Sequence, residues 1–301
     1  MSKPIRLGAV QAEPGWLDLQ KTVQKTIKII ADAGEKGINI LGFPEVWIPG
    51  YPWNIWTQSV PQNLQMAHTY MANSLSRTSP EMASILAAVK AAGIFVVLGY
   101  SERDGGSIYM AQSSISPDGI IVSHRRKIKP THVERTIWGD GYVPGSLKTV
   151  VDTPFGKVGA LCCFEHYQPL LRYYQYSLGE QIHVASWPAF FEVPKGSDWY
   201  LSGKSDGNTQ VVKEENLDSM HLRELGVSDK AAGGFSMIYG PDGKELVEAL
   251  APDEEGILQA DVVLSDTDFS KALLDPVGQY SRPDMLSLLV NAKEGKHVIE
   301  K

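Results

Sequence analysis

Apolar residues recur along the chain at two spacings. Ile5–Gln11 and Ile38–Phe43 are short continuous apolar runs of the kind that form buried strands. Between them, Leu19, Val23, Ile27, Ile30 and Ala31 fall on one face of a helix that Gly34 and Gly37 end. The chain therefore opens β-α-β. Pro44–Trp56 reads as a loop rich in Pro, Gly and Trp. Ser79–Gly93 is the clearest helix: Ser79 caps it, Pro80 suits its first position, and Glu81 suits its positive end. Met82, Ile85, Leu86 and Val89 give it one apolar stripe, and Gly93 stops it. Ile94–Tyr100 is then another buried strand.

Hairpins follow. Ile108–Ile115 and Ile120–His124 flank Ser-Pro-Asp-Gly, and Val150–Thr153 and Val158–Cys163 flank Pro-Phe-Gly. Tyr167–Leu178 reads as helix and Ile182–Ser186 as strand. Phe235–Tyr239 and Glu245–Ala249 flank a second Pro-Asp-Gly and are expected to pair. Ile257–Val263 is a last strand and Ser265–Leu274 a short helix. Helical crossovers and hairpins thus alternate throughout. An α/β fold of two mixed sheets packed face to face, with helices outside, accommodates both connection types. No linker divides the chain, so residues 1–301 are expected to form one domain with its core at about 5–264.

Composition narrows the function. With 301 residues, 43% hydrophobic and 21% charged, the chain is long enough for a core that needs no disulfide or metal. A net charge of −7, with no long basic run besides His124–Lys129, argues against nucleic acid as a partner. The cysteines, Cys162 and Cys163, are adjacent and cannot staple distant parts of the fold. No segment has signal-peptide character, and none approaches the roughly 20 apolar residues of a membrane span. A cytoplasmic protein acting on a small molecule, away from membranes, is the expectation.

Three strand ends carry reactive side chains. Glu45 follows the strand ending at Phe43 and precedes Trp47, Tyr51 and Trp53; partial desolvation there would raise its pKa toward a general base's range, although many loop carboxylates are simply solvated. The run from His124 to Lys129 reads by itself first as a solvated edge strand; if the strand continues, alternation sends Lys127 and Lys129 to the side opposite Arg126 and Ile128, and Lys127 could then point into a site. Cys162 and Cys163 end a strand just before a helix. A thiol at that junction would face the helix's positive end and favour thiolate, whereas free cysteines are more often small core hydrophobes. Strand alternation allows only one of the two to face a site. A thiol with a proton acceptor and a positive charge suits attack on the carbon of a nitrile, amide or ester.

These residues resemble the carbon–nitrogen hydrolase (nitrilase) superfamily. Its landmarks stand here as Phe43-Pro44-Glu45, Arg126-Lys127 with Pro130-Thr131, and Cys163-Phe164-Glu165. Trp47-Ile48-Pro49-Gly50-Tyr51-Pro52, Thr131-His132-Val133-Glu134-Arg135, His183-Val184-Ala185-Ser186-Trp187-Pro188 and Asp275-Pro276-Val277-Gly278-Gln279-Tyr280 are similar to its nitrilase and cyanide hydratase branch. The resemblance implies a four-layer α-β-β-α sandwich. It makes Cys163 the nucleophile, Glu45 the general base, Lys127 the stabiliser of developing charge, and Glu134 the residue that positions Lys127. Lys129 matches no catalytic position. Trp53, Phe164 and Trp187 are expected against the substrate.

The implied reaction is nitrile hydrolysis to carboxylic acid and ammonia through a cysteine thioimidate, with no cofactor and no metal; no spacing among His132, His166 and His183 reads as a metal site. Amide release is the alternative exit, and an inactive shortened homologue is the alternative of another class. The resemblance also implies a homo-oligomer, with the tail 265–301 in its contacts. The interval 189–232, 44 residues between Trp187-Pro188 and Gly233-Gly234, is short and polar beside its counterparts. Its only apolar remnant is Val211-Val212. An internal shortening there is expected to leave the strands around Ile182–Ser186 and Phe235–Tyr239 without a neighbour and to weaken both stability and turnover.

Overall fold

The computed structural model describes residues 4–142, 145–189, 208–224 and 229–291. It begins as the pattern predicts, with β1 (Ile5–Ala12), α1 (Leu19–Glu35) and β2 (Ile40–Gly42). Asp18 caps α1 through the Lys21 amide. α2 (Val60–Ala72) then lies inside a stretch with no apolar stripe, and only Tyr70 on it is buried. α3 (Pro80–Ala92) has the expected caps: Ser79 accepts from the Met82 amide, and Gly93 takes the left-handed conformation.

β3 (Phe95–Asp104), β4 (Ser107–Ile115) and β5 (Ile121–Arg126) form a meander. The hairpin of β6 (Val150–Thr153) and β7 (Gly156–Cys162) leads through a 3₁₀ turn at Cys163–Tyr167 into α4 (Pro169–Ser177) and β8 (Ile182–Ser186). The two-residue β9 (Thr209–Gln210), β10 (Gly256–Val262) and α5 (Asp266–Leu273) complete the described elements.

Two sheets result. The larger runs β10-β1-β2-β3-β4-β5, with β9 added alongside β1; the smaller runs β6-β7-β8. Alternation along the strands builds the layers. Leu41, Val96 and Leu98 point outward onto Val23 and Ile30 of α1 and Met82, Ile85 and Val89 of α3. Ile40, Phe95 and Val97 point inward onto Val158, Ala160, Ile182 and Val184 of the smaller sheet. α4, with Leu171 and Gln175 buried, forms the outer layer on that side. The architecture is a four-layer α-β-β-α sandwich.

The topology brings three strand ends to one edge. β2 is parallel to β3, and β3 and β5 are each antiparallel to β4, so β2, β3 and β5 share a direction. Glu45 lies just past β2, Lys127 just past β5, and Cys163 just past β7. The segment after β2 then crosses over β3. Gly99 on β3 permits this, because a Cβ there would sit 2.2 Å from the Pro44 carbonyl oxygen.

One expectation fails. Phe235–Tyr239 and Glu245–Ala249 do not form a ladder; a single bridge, Tyr239 to Glu245, joins them. Side chains take the bonds a partner strand would make. The Ser236 amide donates to Gln11 Oε1, the Phe235 amide to Thr209 Oγ1, and Ser236 Oγ to the Val10 carbonyl.

The interval 189–232 lies partly outside the described residues. Its described part supplies β9, which pairs with β1 over only Gln11 and Ala12, and Val211 and Val212 are fully buried beside it. Among the described residues, β8 pairs on its far side only through the Ser186–Asn208 bridge, and Ile182–Val184 border a cavity of about 910 Å³ there. Met237, Ile238 and Tyr239 form part of the opposite wall.

Candidate active site

Lys127 is fully buried, and its position follows from β5. The Lys127 amide donates to the Met110 carbonyl at 2.7 Å, which prolongs the β4–β5 ladder by one bond and turns the side chain inward. Its Nζ donates to Glu45 Oε1 and to Glu134 Oε2, both at 2.9 Å. Glu134 is well supplied with donors: Tyr51 Oη reaches its Oε1 at 3.1 Å, and the Thr131 amide its Oε2 at 2.6 Å. Glu45 is less so. Its Oε2 is buried and has no hydrogen-bond partner among the described residues.

The charges explain the titration of Glu45. One ammonium faces two carboxylates, so one negative charge is left over. Burial pushes the Glu45 carboxyl from 4.5 up to about 8, against the pull of Lys127 and with a further push from Glu134. The expected desolvation of Glu45 is therefore present. Its backbone is fixed as well: the amide donates to the Trp187 carbonyl at 3.2 Å, and the carbonyl accepts from Gln210 Nε2.

Cys163 is buried at the first residue of the 3₁₀ turn and adopts φ +45°. Val46, beside Glu45, and His132, beside Glu134, also take positive φ. Non-glycine residues in this region cost about 1–3 kcal/mol each, and three of them surround one site. The expectation of a resting thiolate at a helix N-terminus is not met. The following element is a single 3₁₀ turn, and α4 begins only at Pro169. Burial pushes the Cys163 thiol well above its usual value; Lys127 and the Phe164 amide, which donates to the sulfur, pull against that, and Glu45 pushes further up. Cys162, also buried, is likewise pushed up.

Lys129 does not join the site. It is exposed and pairs with Asp140 at 2.6 Å. The strand ends at Arg126, so alternation stops holding beyond Lys127. The same alternation, read backward, points to a pair that the sequence reading missed. Arg125, two residues before Lys127, is buried and donates a fork to Glu165 at 2.8 and 2.6 Å. Glu165 also accepts from the Ile128 and Cys162 amides, at 2.9 Å each. Burial raises its carboxyl, but Arg125 and these amides outweigh that and hold it below the usual range. This ion pair fastens the end of β5 to the turn that carries Cys163.

The aromatic residues separate into two groups. Phe164 and Trp187 pack with Cys163 in one cluster, their rings edge to face at 6.4 Å. Trp53 instead packs on Tyr51 at 4.9 Å, on the Glu134 side. The described lining of the 910 Å³ cavity includes Trp187, and that of a second, of about 590 Å³, includes Phe164 and Glu165. Glu45, Lys127 and Cys163 are not among the described residues lining either one. Among the described residues no group of three His, Cys, Asp or Glu side chains is placed to hold a metal ion, and no helix is long and apolar enough to cross a membrane.

The sequence profile of the carbon–nitrogen hydrolase family matches residues 6–207. The chain belongs to this family. Among curated carbon–nitrogen hydrolases and their relatives, a nitrilase of Talaromyces marneffei is 54% identical over 318 residues, covering 99% of this chain and 98% of that one. A cyanide hydratase of Armillaria gallica is 43% identical, covering 99% and 88%. In structure, the Caenorhabditis elegans NitFhit protein superposes with a TM-score of 0.71 at 17% identity, covering 98% of this chain and 69% of that one; it shows the shared fold. The Talaromyces alignment is longer than the 301 residues of this hydrolase. Part of that relative's sequence thus has no counterpart here.

Proposed function

We propose that the chain is a nitrilase in which Cys163 is the nucleophile, Glu45 the base, Lys127 the electrostatic stabiliser and Glu134 its anchor. The observation that carries this is Lys127, buried, bonded to both glutamates and close enough to Cys163 to act on its titration. The identity to curated nitrilases supports the choice of substrate class.

Glu45 takes the thiol proton as the sulfur attacks the nitrile carbon and hands it to the nitrile nitrogen, so that the C≡N bond becomes the C=N–H of a thioimidate and Glu45 is again a carboxylate. Lys127 and the Phe164 amide stabilise the charge developing in this step, in a site dry enough for that to count. A first water adds to the thioimidate carbon, and the tetrahedral intermediate expels ammonia to leave a thioester. A second water releases the carboxylic acid and restores the thiol. Water is the only co-reactant, and no redox change occurs. In this reading Phe164 and Trp187, packed on Cys163, contact the substituent of the nitrile, and Trp53, packed on Tyr51, contacts the substrate from the Glu134 side.

If the intermediate expels the thiol instead, the product is the amide. The cyanide hydratase among the relatives makes this the second reading. Ammonia release from a panel of aliphatic, aromatic and arylaliphatic nitriles and cyanide, with mass spectrometry of the products, tests both. Acid plus ammonia supports the first reading and amide the second. Unchanged turnover by Cys163→Ala overturns the assignment of the nucleophile.

The chain is taken as one domain and as a homo-oligomer. Phe269 and Leu273 on α5, with Tyr280, Met285, Leu286 and Leu289 beyond it, are all largely exposed, and such an apolar stretch suits burial against another copy. Sedimentation velocity as a monomer at micromolar concentration would count against this. Two free cysteines suit a reducing, cytoplasmic setting.

A further inference from the structure

The peptide between Cys163 and Phe164 is engaged at both ends. Its N–H, from Phe164, donates to the Cys163 sulfur. Its carbonyl accepts from His166 Nδ1 at 2.6 Å. A carbonyl only accepts, so the Nδ1 of His166 must carry hydrogen. Burial holds the His166 imidazole well below its usual pKa, and His183 and Arg172 push the same way, so the ring is neutral and its Nε2 is bare. That bare nitrogen faces His183 Nε2 at 2.8 Å and must accept from it. His183 Nδ1 in turn donates to Glu180 Oε1 at 2.6 Å, so both ring nitrogens of His183 carry hydrogen and the Glu180 carboxylate holds the resulting imidazolium. Arg172 Nη1 lies 3.3 Å from His183 Nδ1 and 3.9 Å from Glu180 Oε2, so the Glu180 carboxylate faces both cations. Trp187 stacks on His166 at 5.1 Å and 18°, fixing the plane of the ring.

We propose that His166 is a positioning residue for the nucleophile, and that His183, anchored by Glu180, sets its tautomer. Two tautomers of a neutral imidazole are close in energy. Only the one with hydrogen on Nδ1 can hold the Cys163 carbonyl; the other would place a lone pair against it. The His183 N–H removes that choice. The held carbonyl fixes the plane of the Cys163–Phe164 peptide and so aims the Phe164 N–H at the sulfur. Glu180 and His183 do not touch the nucleophile and act only through His166.

This inference rests on the nitrilase reading for its kinetic arm only. Asn is the conservative variant, because its Nδ2–H falls where Nδ1–H does and cannot take the wrong tautomer. His166→Asn is expected to keep kcat within about threefold, whereas His166→Leu loses about 10- to 100-fold in kcat with KM little changed, the scale on which misplaced reacting groups act. His183→Phe leaves His166 free to choose. Nitrogen-15 NMR of histidine in the resting protein, which needs no nitrile, is expected to show His166 protonated at Nδ1 in the parent and a mixture of tautomers in His183→Phe. A parent His166 protonated at Nε2, no tautomer change in His183→Phe, or equal kcat in the Asn and Leu variants overturns the proposal.

Discussion

Arg125 and Lys127, two positions apart at the end of β5, turn to the same side and pair with different carboxylates. Arg125 clasps Glu165 in the turn that carries Cys163, and Lys127 bridges Glu45 and Glu134 within the site. One strand thereby fixes the cysteine and supplies the charge that serves it. The two cations are suited to these tasks: a planar fork holds a carboxylate in one orientation, while a compact ammonium can shift between partners.

Removing Arg125 should therefore damage stability first. Arg125→Met leaves Glu165 buried with its amide donors but without its cation, and losing one partner of a buried pair costs about 3–5 kcal/mol. For a chain of this size each kcal/mol is worth about 2–4 °C in Tm. A fall of roughly 6–20 °C by differential scanning fluorimetry is the expected outcome, with Arg125→Lys intermediate. A shift under about 2 °C for Arg125→Met would mean that the pair does not fasten the turn.

The Arg125–Glu165 pair also marks how far the sequence could be read. Each partner stood beside a recognised landmark, but they are forty positions apart and only the sandwich brings them together. Strands β1, β7 and β8 and helices α1 and α3 were legible because apolar spacing and caps agreed there. α2 was not, since Val60 and Leu64 are exposed and only Tyr70 is buried. The pairing expected at 235–249 failed for the opposite reason: its apolar alternation is present, but Gln11, Thr209 and Ser236 satisfy the backbone instead of a partner strand. Glu45 and Lys127 were each readable as solvated residues until the geometry joined them.

Burial of Glu45 has opposite effects on activity and stability. As a base it must be unprotonated, so kcat/KM should rise with pH along a limb whose midpoint lies near 8. Stability runs the other way. Between 4.5 and about 8 the folded state holds a proton on Glu45 that the unfolded state has released, so stability falls across that window as pH rises. Glu45→Gln keeps an acceptor for Lys127 and removes the titration. It should abolish turnover, match the parent in Tm near pH 5, and exceed it by several degrees at pH 8.5. Equal melting curves for the two proteins at both pH values would contradict the raised carboxyl.

The cavity beside β8 tests the short interval. Ile182, Val184, Leu7 and Ile40 reach its wall, and Met237 and Ile238 face it, so an added strand would find apolar partners on both sides. The edge of β8 turned away from β7 has no ladder partner at Ile182–Val184 among the described residues, and such edges invite association with other chains. Burying one large apolar side chain there would stabilise by about 1.5–3 kcal/mol. It would also exclude water from the wall that Trp187 shares with the site, which strengthens the action of Lys127. A chimera that takes its residues between the counterparts of Trp187 and Gly233 from the Talaromyces relative should therefore melt several degrees higher, aggregate less in light scattering, and turn over nitriles faster. If the chain as it stands is monodisperse and equals the chimera in both melting temperature and rate, the cavity is not the space of a missing strand.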